Sequence, residues 1–216
     1  MPALARAATV IDTVPYTITA SGTYELKSNL TANNTVGITV QAANVVINLN
    51  GFTLAQSQPT SAKDGIDVSA DNVTVRNGTI SGFQSAVSLR GSVGKAEDLR
   101  LLGNVGIAIL IESGSDDAVV NCVIIGLTDG KPGTFGIVVR SSSGDLLKGN
   151  QISEFAGGID CTADVGSGCA ILHNYVANAF KGIDLSASDY YQGNVVTGCT
   201  NAFQGGNAIG TENGGE

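Results

Sequence analysis

The sequence predicts an all-β chain wound as a single right-handed parallel β-helix, a solenoid of about seven to eight coils with three short strands each. A Gly-Ile-x-Val-like tetrapeptide recurs along nearly all of the chain. The segments between its copies hold further short apolar strands, bounded by Gly, Asn and Ser. The composition also suits thin strands and tight turns: of 216 residues 43% are apolar, only 5% aromatic and none Trp, while Gly numbers 29.

The copies are Gly37-Ile38-Thr39-Val40, Gly65-Ile66-Asp67-Val68, Ala86-Val87-Ser88-Leu89, Gly106-Ile107-Ala108-Ile109, Gly136-Ile137-Val138-Val139, Gly158-Ile159-Asp160-Cys161 and Gly182-Ile183-Asp184-Leu185, with a degenerate last one at Ala202-Phe203. Their starts are 28, 21, 20, 30, 22, 24 and 20 residues apart, and the excess falls in two loops, Ala55 to Asp64 and Leu127 to Thr134. A solenoid tolerates such insertions because each coil needs only its neighbours in register. The second strand of each coil is carried by segments such as Val45-Val46-Ile47, Val73-Thr74-Val75 and Leu146-Leu147. The third follows an Asn or Gly, as in Asn150-Gln151-Ile152, Asn174-Tyr175-Val176 and Asn194-Val195-Val196. That Asn suits a left-handed turn and can hydrogen-bond along the stack, so its expected role is structural. The chain reads as one domain, with a cap and first coil over about 1–36, regular coils over 37–203 and a Gly-rich tail over 204–216. An antiparallel sandwich also has many short strands, but not a fixed tetrapeptide every twenty-odd residues.

Charge narrows the partners. Eleven basic against 19 acidic residues give a net charge of −8 and a pI near 4.5, which repels phosphate backbones and anionic lipid. Neither nucleic acid nor a membrane is expected as a partner, and the apolar runs fall well short of the roughly 20 residues of a membrane helix. Ala5-Arg6-Ala7 has the small-x-small form of a signal cleavage site, but only four residues precede it, so it is either the remnant of a signal junction or a chance match. Cys122, Cys161, Cys169 and Cys199 include no CxxC pair. Cys161 and Cys169 are close enough to bridge one loop; the alternative is that these cysteines fill buried coil positions.

The runs Tyr16-Thr17-Ile18-Thr19-Ala20-Ser21-Gly22-Thr23-Tyr24-Glu25-Leu26, Val45-Val46-Ile47-Asn48-Leu49-Asn50-Gly51-Phe52-Thr53-Leu54 and Val73-Thr74-Val75-Arg76-Asn77-Gly78-Thr79-Ile80-Ser81-Gly82-Phe83 resemble the bacterial right-handed β-helix repeat proteins of the pectate-lyase-like superfamily. The resemblance covers nearly the whole chain and lies in turn and core residues. It therefore implies the fold, and a secreted or periplasmic bacterial location, more than a chemistry. The superfamily includes lyases, glycosidases, epimerases, phage tailspikes and members without known activity. Its alginate epimerases carry an Asp-Pro-His-Asp motif, which this sequence lacks.

In polysaccharide-active β-helices sugar chains lie along the long strand face. Alternation of side chains points the third tetrapeptide residue outward, giving a column of Thr39, Asp67, Ser88, Ala108, Val138, Asp160 and Asp184. Two residues on lies a second column of Gln41, Ser69, Arg90, Leu110, Arg140, Thr162 and Ser186. Asp160 and Asp184 should sit about 5 Å apart on successive coils. With Arg140 beside them they suggest a catalytic pair of glycosidase or lyase type, or a metal site in which both ligate Ca²⁺. Ca²⁺ is the one cofactor such a pair would accommodate, and none is required. The plain alternative is soluble Asp on an exposed strand, with an ordinary ion pair to Arg140. Tyr190, Tyr191, Asp67 and Arg90 are candidate carbohydrate contacts, the tyrosines by stacking on a sugar ring or else by covering a coil corner. The only histidine, His173, shares a turn slot with Gly149 and Gly193 and has no evident second polar group to hold it. No Ser-His-Asp order, phosphate loop or zinc signature occurs.

Two functions follow. The favoured one is an extracellular structural or carbohydrate-binding protein that self-associates as a homo-oligomer through the apolar centre of the columns, Ala108, Leu110 and Val138. The alternative is a polysaccharide lyase or glycoside hydrolase using the paired carboxylates.

Overall fold

The structure is a computed structural model, and it describes residues 7–59, 62–127, 133–162, 168–210 and 214–215. Ala5 and Arg6 of the cleavage-like pattern lie outside the described residues, as do 60–61 and 128–132 of the two long loops. Among the described residues there are no helices and 56% lie in strands, which form a parallel β-solenoid of about eight turns.

One sheet has nine strands: Tyr16–Ile18, Ile38–Val40, Asp64–Val68, Ser85–Leu89, Ile107–Glu112, Phe135–Arg140, Gly157–Cys161, Lys181–Leu185 and Asn201–Gln204. Every neighbouring pair is parallel, one strand per coil. A 17-stranded sheet holds the other two strands of each coil, joined into one because Val73–Ser81 and Lys95–Leu102 run unbroken around a corner. Stacking gives each central strand backbone partners above and below and encloses one continuous apolar core that no single coil could bury.

The tetrapeptide is a packing device. Its isoleucines stack inward as a ladder of Ile38, Ile66, Val87, Ile109, Ile137, Ile159 and Ile183, all essentially without exposure. Its glycine answers a steric need. A Cβ on Gly158 would come within 2.4 Å of Val176 Cγ1 and 2.5 Å of the Gly182 carbonyl, and Gly182 meets Val196 and Ala202 in the same way.

Register corrects one coil. Val87 pairs with Ile109 and Ile109 with Ile137, so the true copy is Ala108-Ile109-Leu110-Ile111 rather than Gly106-Ile107-Ala108-Ile109. Ala108 takes the glycine slot, fully buried, and Ile107 leaves the inward ladder for a half-buried place opposite Phe135. The two adjoining intervals become 22 and 28 residues. A second correction falls at the end of the chain, where Asn207–Ala208 and Gly214–Gly215 continue the winding against Tyr190–Tyr191 and Val195–Val196 instead of trailing as a tail.

Two side-chain ladders satisfy backbone groups at the corners. Asn150, Asn174 and Asn194 each accept a backbone N–H from the preceding coil at 2.9 Å, from Cys122, Asn150 and Asn174 respectively, and each donates to a carbonyl of that coil. The turn before them holds Asn121, Gly149, His173 and Gly193 at φ between 54° and 68°, which explains the Asn and Gly there. At another corner buried carboxyls do the same work: Asp117 accepts from the Gly94 N–H at 2.5 Å, Asp145 from Asp117 at 2.9 Å and Asp189 from Cys169 at 2.9 Å. Asp117 Oδ2 is enclosed without a hydrogen-bond partner, and burial pushes this carboxyl up to about 7.

Candidate functional site

Parallel pairing sets the outward side chains of the nine-stranded sheet one coil apart, so neighbours in a column touch. With the register corrected, one outward column reads Thr39, Asp67, Ser88, Leu110, Val138, Asp160, Asp184 and Gln204. In the adjacent column Glu112 stands opposite Arg140.

The densest polar group on this face centres on Arg90. Its Nε donates to Glu112 Oε2 at 3.2 Å, one Nη to Asp67 Oδ1 and the other to Asp64 Oδ2 at 3.4 Å. The Ser88 hydroxyl donates to the same Asp64 oxygen at 2.9 Å. Three successive coils thus place three carboxylates around one guanidinium. All remain reachable by solvent, with side-chain exposures of 35% for Arg90, 30% for Asp67, 18% for Asp64 and 36% for Glu112. Burial raises the Asp67 carboxyl above its ordinary range, against the pull of Arg90 and with a push from Asp64. Burial works to lower the Arg90 guanidinium, but attraction to Asp67 and Asp64 outweighs it and holds the charge. The result is a cluster of three carboxylates about one cation, a surplus of two acceptor groups, on a stacked parallel sheet.

Sequence reading named Asp67 and Arg90 but missed Asp64 and Glu112. Glu112 was hidden by the two-residue slip, which put Leu110 in its place in the second column. Asp64 precedes the tetrapeptide and stands in a third column with Ser85, Ile107 and Phe135. An acidic residue just ahead of Gly65 was the available signal.

Asp160 and Asp184 are direct register partners, as their spacing predicts. Each, however, is engaged elsewhere. Asp160 Oδ1 accepts from the Thr162 N–H at 2.9 Å and the Thr162 hydroxyl at 2.7 Å. Asp184 is only 4% exposed, and its Oδ2 is 2.6 Å from Lys181 Nζ, a hydrogen bond that raises the affinity of Lys181 for its proton. Lys181 was missed because it precedes the glycine of its tetrapeptide. Arg140 is exposed and forms no ion pair among the described residues, so the expected Arg140–Asp160 pair is not made: Asp160 turns to Thr162, just past the end of its strand, instead. Among the described residues no three His, Cys, Asp or Glu side chains converge as metal ligands would.

The structure also places the remaining candidates. The apolar centre is not an exposed patch, since Ala108 is interior and Leu110 and Val138 are 7% and 1% exposed. Half-buried Ile107 and Phe135 stand in the neighbouring outward column, and the Phe135 ring lies over Gly157, where a Cβ would approach it to 2.4 Å. Tyr190 and Tyr191 belong to the 17-stranded sheet rather than to the face with Asp184. Tyr190 is 48% exposed, whereas Tyr191 packs on the core and stacks on Phe203 at 5.2 Å. His173 occupies its exposed left-handed turn against Gly193, away from the nine-stranded face.

No protein-family model and no curated protein matches the sequence. Among solved structures the chain is similar to the Dettilon tailspike protein gp208, with a TM-score of 0.61 at 12% identity over 93% of this chain and 49% of that one. The chain thus spans about half the length of that tailspike, and the likeness is one of fold. The A-module of the Azotobacter vinelandii mannuronan C-5 epimerase AlgE6 aligns over 91% of both chains at 10% identity, with a TM-score of 0.27.

Proposed function

We propose that this chain is a carbohydrate-binding β-helix protein acting outside the bacterial cytoplasm, and that a glycan lies along the nine-stranded face against the Arg90 cluster. The observation that carries this reading is the ring of Asp64, Asp67 and Glu112 about Arg90, half-exposed and preorganised. Sugar hydroxyls both donate and accept, and a planar guanidinium flanked by carboxylates offers both partners at fixed spacing. Rigidity limits the ordering cost of binding. The resemblance to pectate-lyase-like β-helix proteins, in which sugar chains lie on this face, adds support. The surplus of carboxylates and the net charge of −8 favour neutral glycans over uronates.

Binding is preferred to catalysis because Asp160 and Asp184 are tied to Thr162 and Lys181, and Arg140 touches neither. Self-association has lost the exposed patch that suggested it.

A glycan array followed by calorimetry on the best ligand tests the reading. Glu112→Gln and Asp67→Asn should each weaken binding about tenfold or more, the loss of a charged hydrogen bond, while Arg140→Gln should leave it unchanged. Binding that survives all three substitutions, or no ligand among neutral and acidic glycans, would remove the Arg90 cluster as the site.

A further inference from the structure

Of the four cysteines, two are solitary and two meet. Cys122 Sγ lies 3.5 Å from the Val120 carbonyl and 3.7 Å from that of Ala96, and Cys199 Sγ lies 3.5 Å from the Thr197 carbonyl and accepts from the Ala179 N–H at 3.4 Å. Cys161 and Cys169 differ: both thiols are free, they are 1% and 0% exposed, and they flank one corner, Cys161 in register with Leu185 and Cys169 bonded to the Asp189 carboxylate that also accepts from the Ser186 N–H. Cys161 ends the strand Gly157–Cys161 in register with Leu185, and Cys169 directly precedes the strand Ala170–Leu172. The two backbones are held independently, Cys161 by its strand pairing and Cys169 by the 2.9 Å bond from its N–H to Asp189 Oδ1. The approach of the two cysteines to one corner therefore follows from the coil geometry.

We propose that Cys161 and Cys169 are a disulfide-forming dithiol that staples one corner of the solenoid when the chain meets a disulfide oxidant such as oxidised glutathione. One thiol loses its proton and attacks the oxidant, forming a mixed disulfide and releasing one glutathione thiolate. The second then loses its proton and attacks the mixed disulfide, closing the Cys161–Cys169 bond and releasing the second. The two cysteines give up two electrons and two protons, and the oxidant becomes two molecules of glutathione.

The surroundings set the kinetics. Hydrogen bonding from Cys169 and burial hold the Cys161 thiol well above the ordinary range, and the negative charges of Asp189 and Asp160 act in the same direction. Cys169 Sγ lies 3.9 Å from Asp145 Oδ2. A neutral disulfide escapes that penalty, so the buried corner favours the oxidised form while hindering the attack that makes it. Oxidation of the folded chain should be slow and should accelerate at urea concentrations that open the corner.

The peptide from Gly149 to Lys181 contains both cysteines and no other, and no Lys or Arg interrupts it. After incubation with oxidised glutathione in dilute urea and alkylation in denaturant, tryptic mass spectrometry should find this peptide lighter by two hydrogens and unalkylated. Dithiothreitol should convert it to the doubly alkylated form. The oxidised chain should melt about 5 °C above the reduced one, as a short closed ring predicts. Cys122→Ala should keep both effects, and the double variant Cys161→Ala, Cys169→Ala should lose both. Two alkyl groups or two glutathione adducts on the oxidised peptide, cross-linking of either cysteine to Cys122 or Cys199, or an oxidised chain that melts no higher than the reduced one would overturn the proposal.

Discussion

Two stretches of the same sheet face bring carboxylates of different coils together, and they differ in what those carboxylates are free to do. Around Arg90, Asp64, Asp67 and Glu112 share one cation and stay open to solvent. Farther along, Asp160 and Asp184 are closer in register yet separately engaged, one by Thr162 and one by Lys181. Between them Leu110 and Val138 are buried and interrupt the polar row. Adjacency on a β-helix is cheap, because every residue has a neighbour one coil away. A site needs in addition that the neighbours share a partner and remain reachable.

The Arg90 cluster exists only if Glu112 is on its coil, and that follows from the pairing of Ile109 with Val87. The largest expected effect therefore tests register. Ile109→Asp buries an unpaired charge in the central ladder and should cost more than about 4 kcal/mol, enough to lower the melting temperature by roughly 10 °C or abolish folding. Ile107→Asp, at a half-buried outward position, should cost about 1 kcal/mol. An Ile107→Asp loss as large as that of Ile109→Asp would restore the other frame, in which both residues are inward, and would remove Glu112 from the cluster.

That slip shows what a sequence can and cannot specify here. The inward ladder and parallel stacking were legible because Ile-x-Val alternation recurs in every coil. Two frames of Val105-Gly106-Ile107-Ala108-Ile109-Leu110-Ile111 nevertheless keep Ile109 inward and Leu110 outward, so hydrophobic period could not choose between them. Only pairing to the neighbouring coils does so. The closeness of Asp160 and Asp184 was readable for the same reason as the ladder. Their engagement was not, because Thr162 and Lys181 compete for them through side-chain rotamers that spacing does not encode. Of the two readings of Tyr191, the structure takes the corner cover, because the turn after Leu185 carries the chain onto the other sheet, where Tyr191 packs on the core.

The importance of a counter-charge can be sharpened at Asp117, a carboxyl with none. Its folded-state value of about 7 lies above the unfolded 3.8, so the burial penalty is absent at low pH, grows as pH rises between those values and is complete above the upper one. Stability should fall over that window by up to about 4 kcal/mol. Asp117→Asn keeps an acceptor for the Gly94 N–H and should melt with a flatter pH profile from pH 4 to 8. Parallel profiles for the two proteins would mean that the carboxyl is not carrying this cost.

On the face itself, Arg90→Ala leaves three partly buried carboxylates without their common cation and should cost about 2 kcal/mol. Arg140→Ala, two positions along the same column and without an ion pair among the described residues, should stay within about 0.5 kcal/mol. Urea titrations of the two variants compare the regions directly. Equal losses would mean that the Arg90 contacts are no more than an ordinary surface ion pair.

The smallest effect is expected at Asp160, where the question is whether two adjacent carboxylates hold Ca²⁺. A cation bound only by the folded chain raises the melting temperature by mass action, by an amount set by its concentration over its Kd. Ca²⁺ takes six to eight oxygens, and here one Asp160 oxygen is committed to Thr162 and one Asp184 oxygen to Lys181. Millimolar Ca²⁺ should therefore move the melt by less than about 1 °C. Asp160→Asn should change stability by no more than about 0.5 kcal/mol, because Asn can still accept from Thr162. A rise of several degrees with Ca²⁺ that Asp160→Asn abolishes and Asp67→Asn leaves intact would reverse the comparison. The cation would then have displaced Lys181 from Asp184, and the second stretch of the face would be the built site.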